Sequence, residues 1–421
     1  MNISEHKPYI KEFSCGLTFA FKRSSSQVAY CALSIKSGTR NEPAQYNGIA
    51  HLAEHVLFKG TQHRTSTEIN NRLEKLGGEL NAYTTKEETV IYSTVLKEDI
   101  TKSADLLFEL AFTSTFPEKE LKKERSVVID EINMYKDSPS DYIFDDFEEF
   151  VFGDHPLSRS ILGSSRTLNK ISSETIQNYV KTNFLPQNMS FTIVADLTDE
   201  KAEKIVKDCI KKYVPECSTV TGNSLTAVNR AEETLAPGIV FTKEVSKKNH
   251  QVNCIIGSTA YSLYDKRRIT LILLSNILGG PSSNSFLNQV LREKGALVYT
   301  VEASYTPYSD NGILMIYFGC DKVNLRKCLD LTHREISKLR DKKLSESFLK
   351  AAKKQLLGQL TISSDNGESQ SLSMGKSLIS YKDIMSDEIV REQINSITSE
   401  DIFKVANEIL SADRISTLIY K

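Results

Sequence analysis

No apolar run in this chain approaches the ~18–20 residues a helix needs to cross a bilayer, so no membrane-spanning helix is expected. Positive charge is not in surplus either. The 53 Lys and Arg residues face 54 Asp and Glu, for a formal charge of -1. Proteins that bind nucleic acid by neutralising phosphates carry a basic excess, which removes nucleic acid from the expected partners. Cysteine pairs spaced C-x-x-C are absent, and the seven cysteines, at 15, 31, 209, 217, 254, 320 and 328, are odd in number and scattered. That distribution fits reduced core thiols and argues against a disulfide frame or a Cys-rich metal site. The first residues, Met1 to Pro8, lack the apolar core of a signal peptide and are poor in Arg, so the expected location is the cytoplasm. What remains is ordinary globular composition, 40% apolar and 25% charged over 421 residues. At roughly 150 residues per domain, that length suggests two or three domains.

A repeat organises the chain. Residues 171–193, ISSETIQNYVKTNFLPQNMSFTI, resemble residues 397–419, ITSEDIFKVANEILSADRISTLI, at an offset of 226. Each opens with a helix-capping pattern at Ser173-Glu174 or Ser399-Glu400, runs a short helix and ends in a β-rich strand. Val28–Ile35 echoes the strand from Val252 at an offset of 224, and Leu73-Glu-Lys-Leu-Gly echoes Leu291-Arg-Glu-Lys-Gly at 218. Three matches at nearly one offset indicate two copies of an α/β unit. Residues 215–238 are polar, rich in Ser and Thr and bounded by Pro215 and Pro237-Gly238, as a linker should be. The division is therefore a first domain at 1–214, a linker at 215–238 and a second domain at 239–421. Strands are expected at 27–36 and 89–95, and helices at about 46–58, 66–77 and 118–136. The mixture implies an α+β fold of two homologous domains, each a mainly antiparallel sheet with helices packed on one side.

The chemistry concentrates in His51-Leu-Ala-Glu54-His55. On a helix His51 and His55 lie one turn apart on one face, so both imidazoles can reach one cation, and Glu54 lies beside His51. A Zn²⁺ held by two imidazoles and a carboxylate keeps a fourth position for water and lowers that water's pKa to about 7. A neighbouring carboxylate can then take the proton and return it to a leaving amine. H-x-x-E-H inverts the commoner H-E-x-x-H order. For the third ligand, the helix LKKERSVVIDEINMY puts Glu124 and Glu131 two turns apart on one face. Val127, Val128, Ile129 and Ile132 make this helix a largely buried one, where an acid needs a partner. Glu124, beside Lys122, Lys123 and Arg125, also has a surface-facing explanation.

With Glu131 following His55 by 76 residues, the motif resembles that of the pitrilysin-type zinc peptidases, the inverzincins. The flanking segments GIAHLAEHVLFKGT, LGGELNAYTTKEETVIY, ERSVVIDEINMYKDSP and FGDHPLSRSILG agree. The likeness spans essentially the whole chain and is nearest to the short bacterial branch, similar to the mitochondrial processing peptidase β subunit. It implies His51, His55 and Glu131 as ligands of one Zn²⁺ per chain, Glu54 as general base, and Glu124 as the carboxylate orienting a ligating His. It also implies one chemical copy, and near Leu274, the counterpart of His51, there is no His or Glu cluster. Arg292 and Tyr299 resemble the Arg and Tyr that the family's second domain turns toward the scissile carbonyl, where both are suitable donors. Asn81 and Ala82 resemble the strand on which such enzymes lay the substrate as an added β-strand.

Other signals carry less. Met374-Gly-Lys-Ser377 lacks the earlier Gly of a phosphate loop, which is Gln370. Gly279-Gly280-Pro281 follows a helical pattern and is no dinucleotide site; it resembles the family's glycine-rich loop but lacks the Arg often found near Asn284 to Phe286. His155 is read as structuring a loop. The expectation is a zinc-dependent endopeptidase acting on peptides or unfolded segments. As the resembled family builds its chamber from four domains, pairing as a homodimer or with a sister chain is implied. The alternative is a non-catalytic scaffold or substrate-recognition subunit.

Overall fold

The computed structural model describes residues 7–214, 235, 238–247 and 250–421. All but Leu235 and Gly238 of the expected linker at 215–238 lie outside the described residues. The chain forms two compact units, and each draws on both halves of the sequence. The first comprises Met1–Asn133, Arg159–Gly222 and Thr361–Ser386, the second Met134–Ser158, Asn223–Leu360 and Asp387–Lys421.

The sheet of the first unit contains β1 (Tyr9–Glu12), β2 (Thr18–Arg23), β3 (Val28–Ile35), β4 (Glu79–Thr84), β5 (Thr89–Leu96) and β6 (Met189–Ala195). Their order is β1-β2-β6-β3-β5-β4, antiparallel except for the parallel pair β2–β6. The second sheet contains β7 (Thr242–Val245), β8 (Val252–Ala260), β9 (Val298–Pro307), β10 (Gly312–Cys320) and β11 (Ser416–Tyr420). Its order is β7-β11-β8-β10-β9, again with one parallel pair, β7–β11. Without β1, the first order matches the second strand for strand. The two units are therefore homologous α+β folds, as the repeat implies.

Between the strands the first unit places α1 (Ile49–Leu57), α2 (Ser66–Glu74), α3 (Ile100–Thr113) and α4 (Glu118–Lys136), which continues into the second unit. There α5 (Pro139–Phe152) follows, before the chain returns with α6 (Ser165–Leu168), α7 (Ser173–Asn183) and α8 (Asp199–Tyr213). The remaining helices are α9 (Arg268–Gly279), α10 (Leu325–Asp341), α11 (Glu346–Ser363), α12 (Gly367–Tyr381), α13 (Asp387–Ser396) and α14 (Ser399–Ile409). No helix among the described residues is long and apolar enough to cross a membrane.

Strand side chains alternate faces, which explains where the helices sit. In the first sheet Phe19, Phe21, Cys31, Leu33, Ile35 and Phe191 enter the large core beneath α1, α3 and α8. Ala20 and Val194 point the other way and meet Met374 and Leu378 of α12. In the second sheet Cys254, Ile256, Leu314 and Ile316 face α9, α10 and α14. On its reverse Ile255, Ile313 and Met315 face Ile143 and Phe147 of α5. The main helical layer lies on one side, as expected, and one further helix borrowed from the other half of the sequence covers each reverse face. The central strands β6, β8 and β10 are buried on both faces, so a sheet covered on one side only would leave one set of their side chains in water.

Local boundaries follow backbone chemistry. The helix expected from about 46 begins at Ile49, because Gly48 holds φ 94 in the left-handed region. At the end of α2 Gly77 takes φ 73, and the Gly78 N–H donates to Leu73 O at 3.0 Å. The caps of α7 and α14 are Ser172 and Thr398, each one residue before the capping pattern read from the sequence. The expectation of a largely buried α4 is corrected: only Leu121, Val128 and Ile132 are buried, and Val127 is 49% exposed. A single stripe touches the core, so the neighbouring aliphatics turn outward.

Candidate metal centre

The site is built on α1. Ile49, Ala50, Leu52, Ala53, Val56 and Leu57 are buried in the first unit's core and fix the helix along most of its length. At the start of α1 the Glu42 carboxylate accepts the N–H groups of Gly48 and Ala50, each at 2.8 Å, and the Asn47 amide at 2.8 Å. These are backbone donors that a helix leaves unpaired at its first turn. Burial pushes the Glu42 carboxyl up to about 7, against the pull of these three donors and of Arg159.

His51 and His55 stand one turn apart with ring centroids 4.7 Å from each other. On α4, the Leu121, Val128 and Ile132 stripe presents Glu131 to both rings. The His51 Nε2 to Glu131 Oε2 distance is 3.8 Å, and the His55 Nε2 to Glu131 Oε2 distance is 3.7 Å. One ligand atom from each of the three lies within 4.8 Å of the others, and this is the one such group found among the described residues. Ligand atoms around a tetrahedral zinc, at bond lengths near 2.0–2.1 Å, sit roughly 3.3–3.5 Å apart. The three groups fit that ion with small adjustments of side chains. The chemistry of the donors agrees: His51 is 8% exposed, and burial together with the neighbouring His55 presses its pKa down to about 4. Near neutral pH it is the unprotonated imidazole a metal requires. The opposite nitrogen, His51 Nδ1, is buried with no hydrogen-bond partner among the described residues.

Around these three, His55 Nδ1 lies 3.3 Å from Glu124 Oε2, and Lys59 Nζ lies 2.9 Å from Glu124 Oε1. A carboxylate beside Nδ1 can accept a hydrogen bond from a proton-bearing nitrogen there, the arrangement in which a ligating imidazole presents its other nitrogen as an acceptor. The Glu54 carboxyl is half-buried and accepts the Thr84 hydroxyl at 2.9 Å. Burial moves its pKa upward, opposed by Thr84 and His55 and assisted by Glu131. An acid raised from its ordinary range holds a proton more readily than a free carboxyl does.

The remaining sequence candidates divide by unit. Asn81, exposed, and Ala82, half-buried, lie on β4, an edge strand whose outer side has no strand partner among the described residues. Arg292 and Tyr299 belong to the second unit. Arg292 sits in a π-helical turn and pairs with Glu293 at 2.9 Å; Tyr299 is the second residue of β9 and is 89% exposed. The counterpart of the ligand helix, α9, carries buried Leu271, Leu273, Leu274 and Leu278 and no metal-binding group. His155 Nδ1 accepts the Leu157 N–H at 3.3 Å and its Nε2 lies 3.4 Å from Asp310, as a loop-structuring residue should. Met374–Ser377 is an interior stretch of α12. The glycine-rich loop is tied down by amides, with Gln359 Nε2 donating to Ser282 and Gln289 Nε2 donating to Ser283 O. Thr84, Lys59 and Glu42 were not singled out from the sequence. Glu42, six residues before Gly48, carried the one available signal, an acid ahead of a glycine-started helix.

Comparison with known proteins bears on this geometry. Residues 18–165 match the family described as Insulinase (Peptidase family M16), and residues 170–356 match the Peptidase M16 inactive domain. A Bacillus subtilis relative named as an uncharacterized zinc protease, YmxG, is 30% identical over 387 residues, covering 91% of each chain. A Rickettsia bellii zinc protease is 30% identical over 91% of this chain and 90% of its own. Among solved structures, a protease from Helicobacter pylori superposes with a TM-score of 0.87 at 19% identity over 99% of both chains. A Pseudomonas fluorescens structure described as a peptidase M16 inactive domain gives 0.87 at 18% identity, covering 99% of this chain and 98% of that one.

Proposed function

The chain belongs to the M16 peptidase family, and on that premise we propose that it is a zinc-dependent endopeptidase of peptides or unfolded segments, with Glu54 as general base. The observation that carries this reading is the convergence of His51 Nε2, His55 Nε2 and a Glu131 carboxylate oxygen, with Glu54 on the same helix. These three side chains would hold one zinc ion per chain. When bound, the ion supplies a Lewis acid and brings a water nucleophile's pKa toward neutrality.

Glu54 takes the proton from the attacking water and delivers it to the leaving amine. Its upward-shifted pKa supports both halves of that exchange. The open edge of β4 at Asn81 and Ala82 accepts substrate as an added strand through main-chain hydrogen bonds, which tolerates many side-chain sequences. Arg292 and Tyr299 serve as donors to the substrate backbone or the developing oxyanion. The solvent-facing phenol of Tyr299 supports its share of that role. The reading extends to pairing with a second copy or a sister chain, and to a cytoplasmic location, which the scattered cysteines without C-x-x-C spacing favour.

The test is a peptide-library digest with and without chelator, run beside a mass measurement of the particle. Glu54→Gln should retain zinc and fold while losing about 10²–10⁴-fold in kcat/KM. Turnover at the unsubstituted rate in that variant would assign the base elsewhere. Arg292→Ala and Tyr299→Phe should each lower turnover without releasing zinc, and unchanged kinetics would remove both from the reaction.

A further inference from the structure

Glu54 gains its one side-chain hydrogen bond among the described residues from outside its own helix, from Thr84 Oγ1 to Glu54 Oε2 at 2.9 Å. The donor is well fixed. Thr84 is the last residue of β4, paired across the ladder with Thr89 of β5. The turn beyond it is closed by the Thr85 N–H donating to Glu88 O at 2.8 Å and the Glu88 N–H donating to Thr85 Oγ1 at 3.1 Å. Threonine is also stiff at χ1, so its hydroxyl direction follows from the strand. Glutamate, by contrast, has three rotatable bonds, and its one side-chain hydrogen bond among the described residues comes from Thr84.

We propose that Thr84 is a positioning residue for Glu54: its hydroxyl ties one carboxylate oxygen to the end of the edge strand and leaves the other free for the reacting water. The proposal rests on the reading of Glu54 as the base and goes beyond it. It makes β4 serve twice, offering an open edge to an extended peptide and setting the base in register with that edge. Binding energy along the strand and proton transfer at Glu54 then share one rigid reference, which is how enzymes hold reacting groups near the productive geometry.

Thr84→Val keeps the branched shape and deletes the donor; Thr84→Ser keeps the donor. With an internally quenched peptide, Thr84→Val should lower kcat by about 10–100-fold while KM stays within about twofold. Zinc content and melting temperature should match the unsubstituted protein, and Thr84→Ser should restore most of kcat. In a Glu54→Gln background, Thr84→Val should have no further effect, because the two residues act as one unit. Unchanged kcat in Thr84→Val, or a loss that follows KM, zinc content or melting temperature, would overturn the proposal while an inactive Glu54→Gln keeps the base reading intact. An active Glu54→Gln would instead defeat the base reading and this inference together.

Discussion

His55 stands between two carboxylates, one at each ring nitrogen. Glu131 meets its Nε2 at 3.7 Å on the side of the metal centre, and Glu124 meets its Nδ1 at 3.3 Å on the far side. Lys59 compensates the Glu124 charge at 2.9 Å, so the pair can be held partly buried without a large penalty. Glu124→Ala removes the acceptor that fixes His55 and leaves Lys59 unpaired. Zinc affinity should fall by about 10–100-fold in a chelator competition, while the metal-free protein keeps its melting temperature within a few degrees. An unchanged affinity would reduce Glu124 to a surface acid. At this scale the sequence was most readable where spacing is local. His51 and His55 are one turn apart whatever the rest of the fold does, and the acids of α4 declared themselves by sharing a stripe with aliphatics. Thr84 gave no such sign, because a threonine in a β-strand needs no further explanation than its propensity. Its role depends on a neighbour 30 residues away.

The helix α1, which carries His51 and His55, is an element anchored at its start. Gly48 turns the chain at φ 94, and Glu42 receives the first N–H groups of α1. The groups facing this carboxyl are the amide of Asn47, the two backbone donors, and Arg159, with the Tyr179 phenol feeling its charge. Its folded pKa is raised from 4.5 to about 7, so the native state retains a proton that the unfolded chain releases. The resulting stability is complete below about pH 4.5 and is lost as the pH rises through about 7. Glu42→Gln abolishes that slope, and it leaves one backbone N–H facing an amide donor. Urea denaturation should show the variant less stable by about 1–3 kcal/mol near pH 4.5, with the deficit shrinking as the pH rises through about 7 because only the unsubstituted protein loses stability over that range. A variant that kept the original slope would place the titration on another group. Helix starts such as this are read a few residues early from the sequence, since sequence pattern does not mark the left-handed glycine at which the helix physically begins.

At the scale of the whole molecule, the duplication was visible in the sequence, but the exchange of helices was not. The apolar stripes of α5 and α12 state that each must be covered and do not say by which sheet. Strand composition held the missing clue. β8 and β10 are buried along their entire length, which requires a layer on each face. The fit of α5 against the second sheet is close at Gly257, where a Cβ would stand 2.2 Å from Leu314 O and 3.0 Å from Phe147 Cζ. The strand thus has a gap that only hydrogen fills, with the Phe147 ring over it. Gly257→Ala forces β10 or α5 to move, at a cost of about 1–3 kcal/mol for overpacking a core. Hydrogen exchange should then quicken in β8 and β10, and equally in α5, though α5 lies in the first half of the chain. Because α5 and the second sheet share one core, they lose protection as one cooperative body. Were α5 to keep its protection while the two strands lost theirs, its membership of the second unit would be refuted.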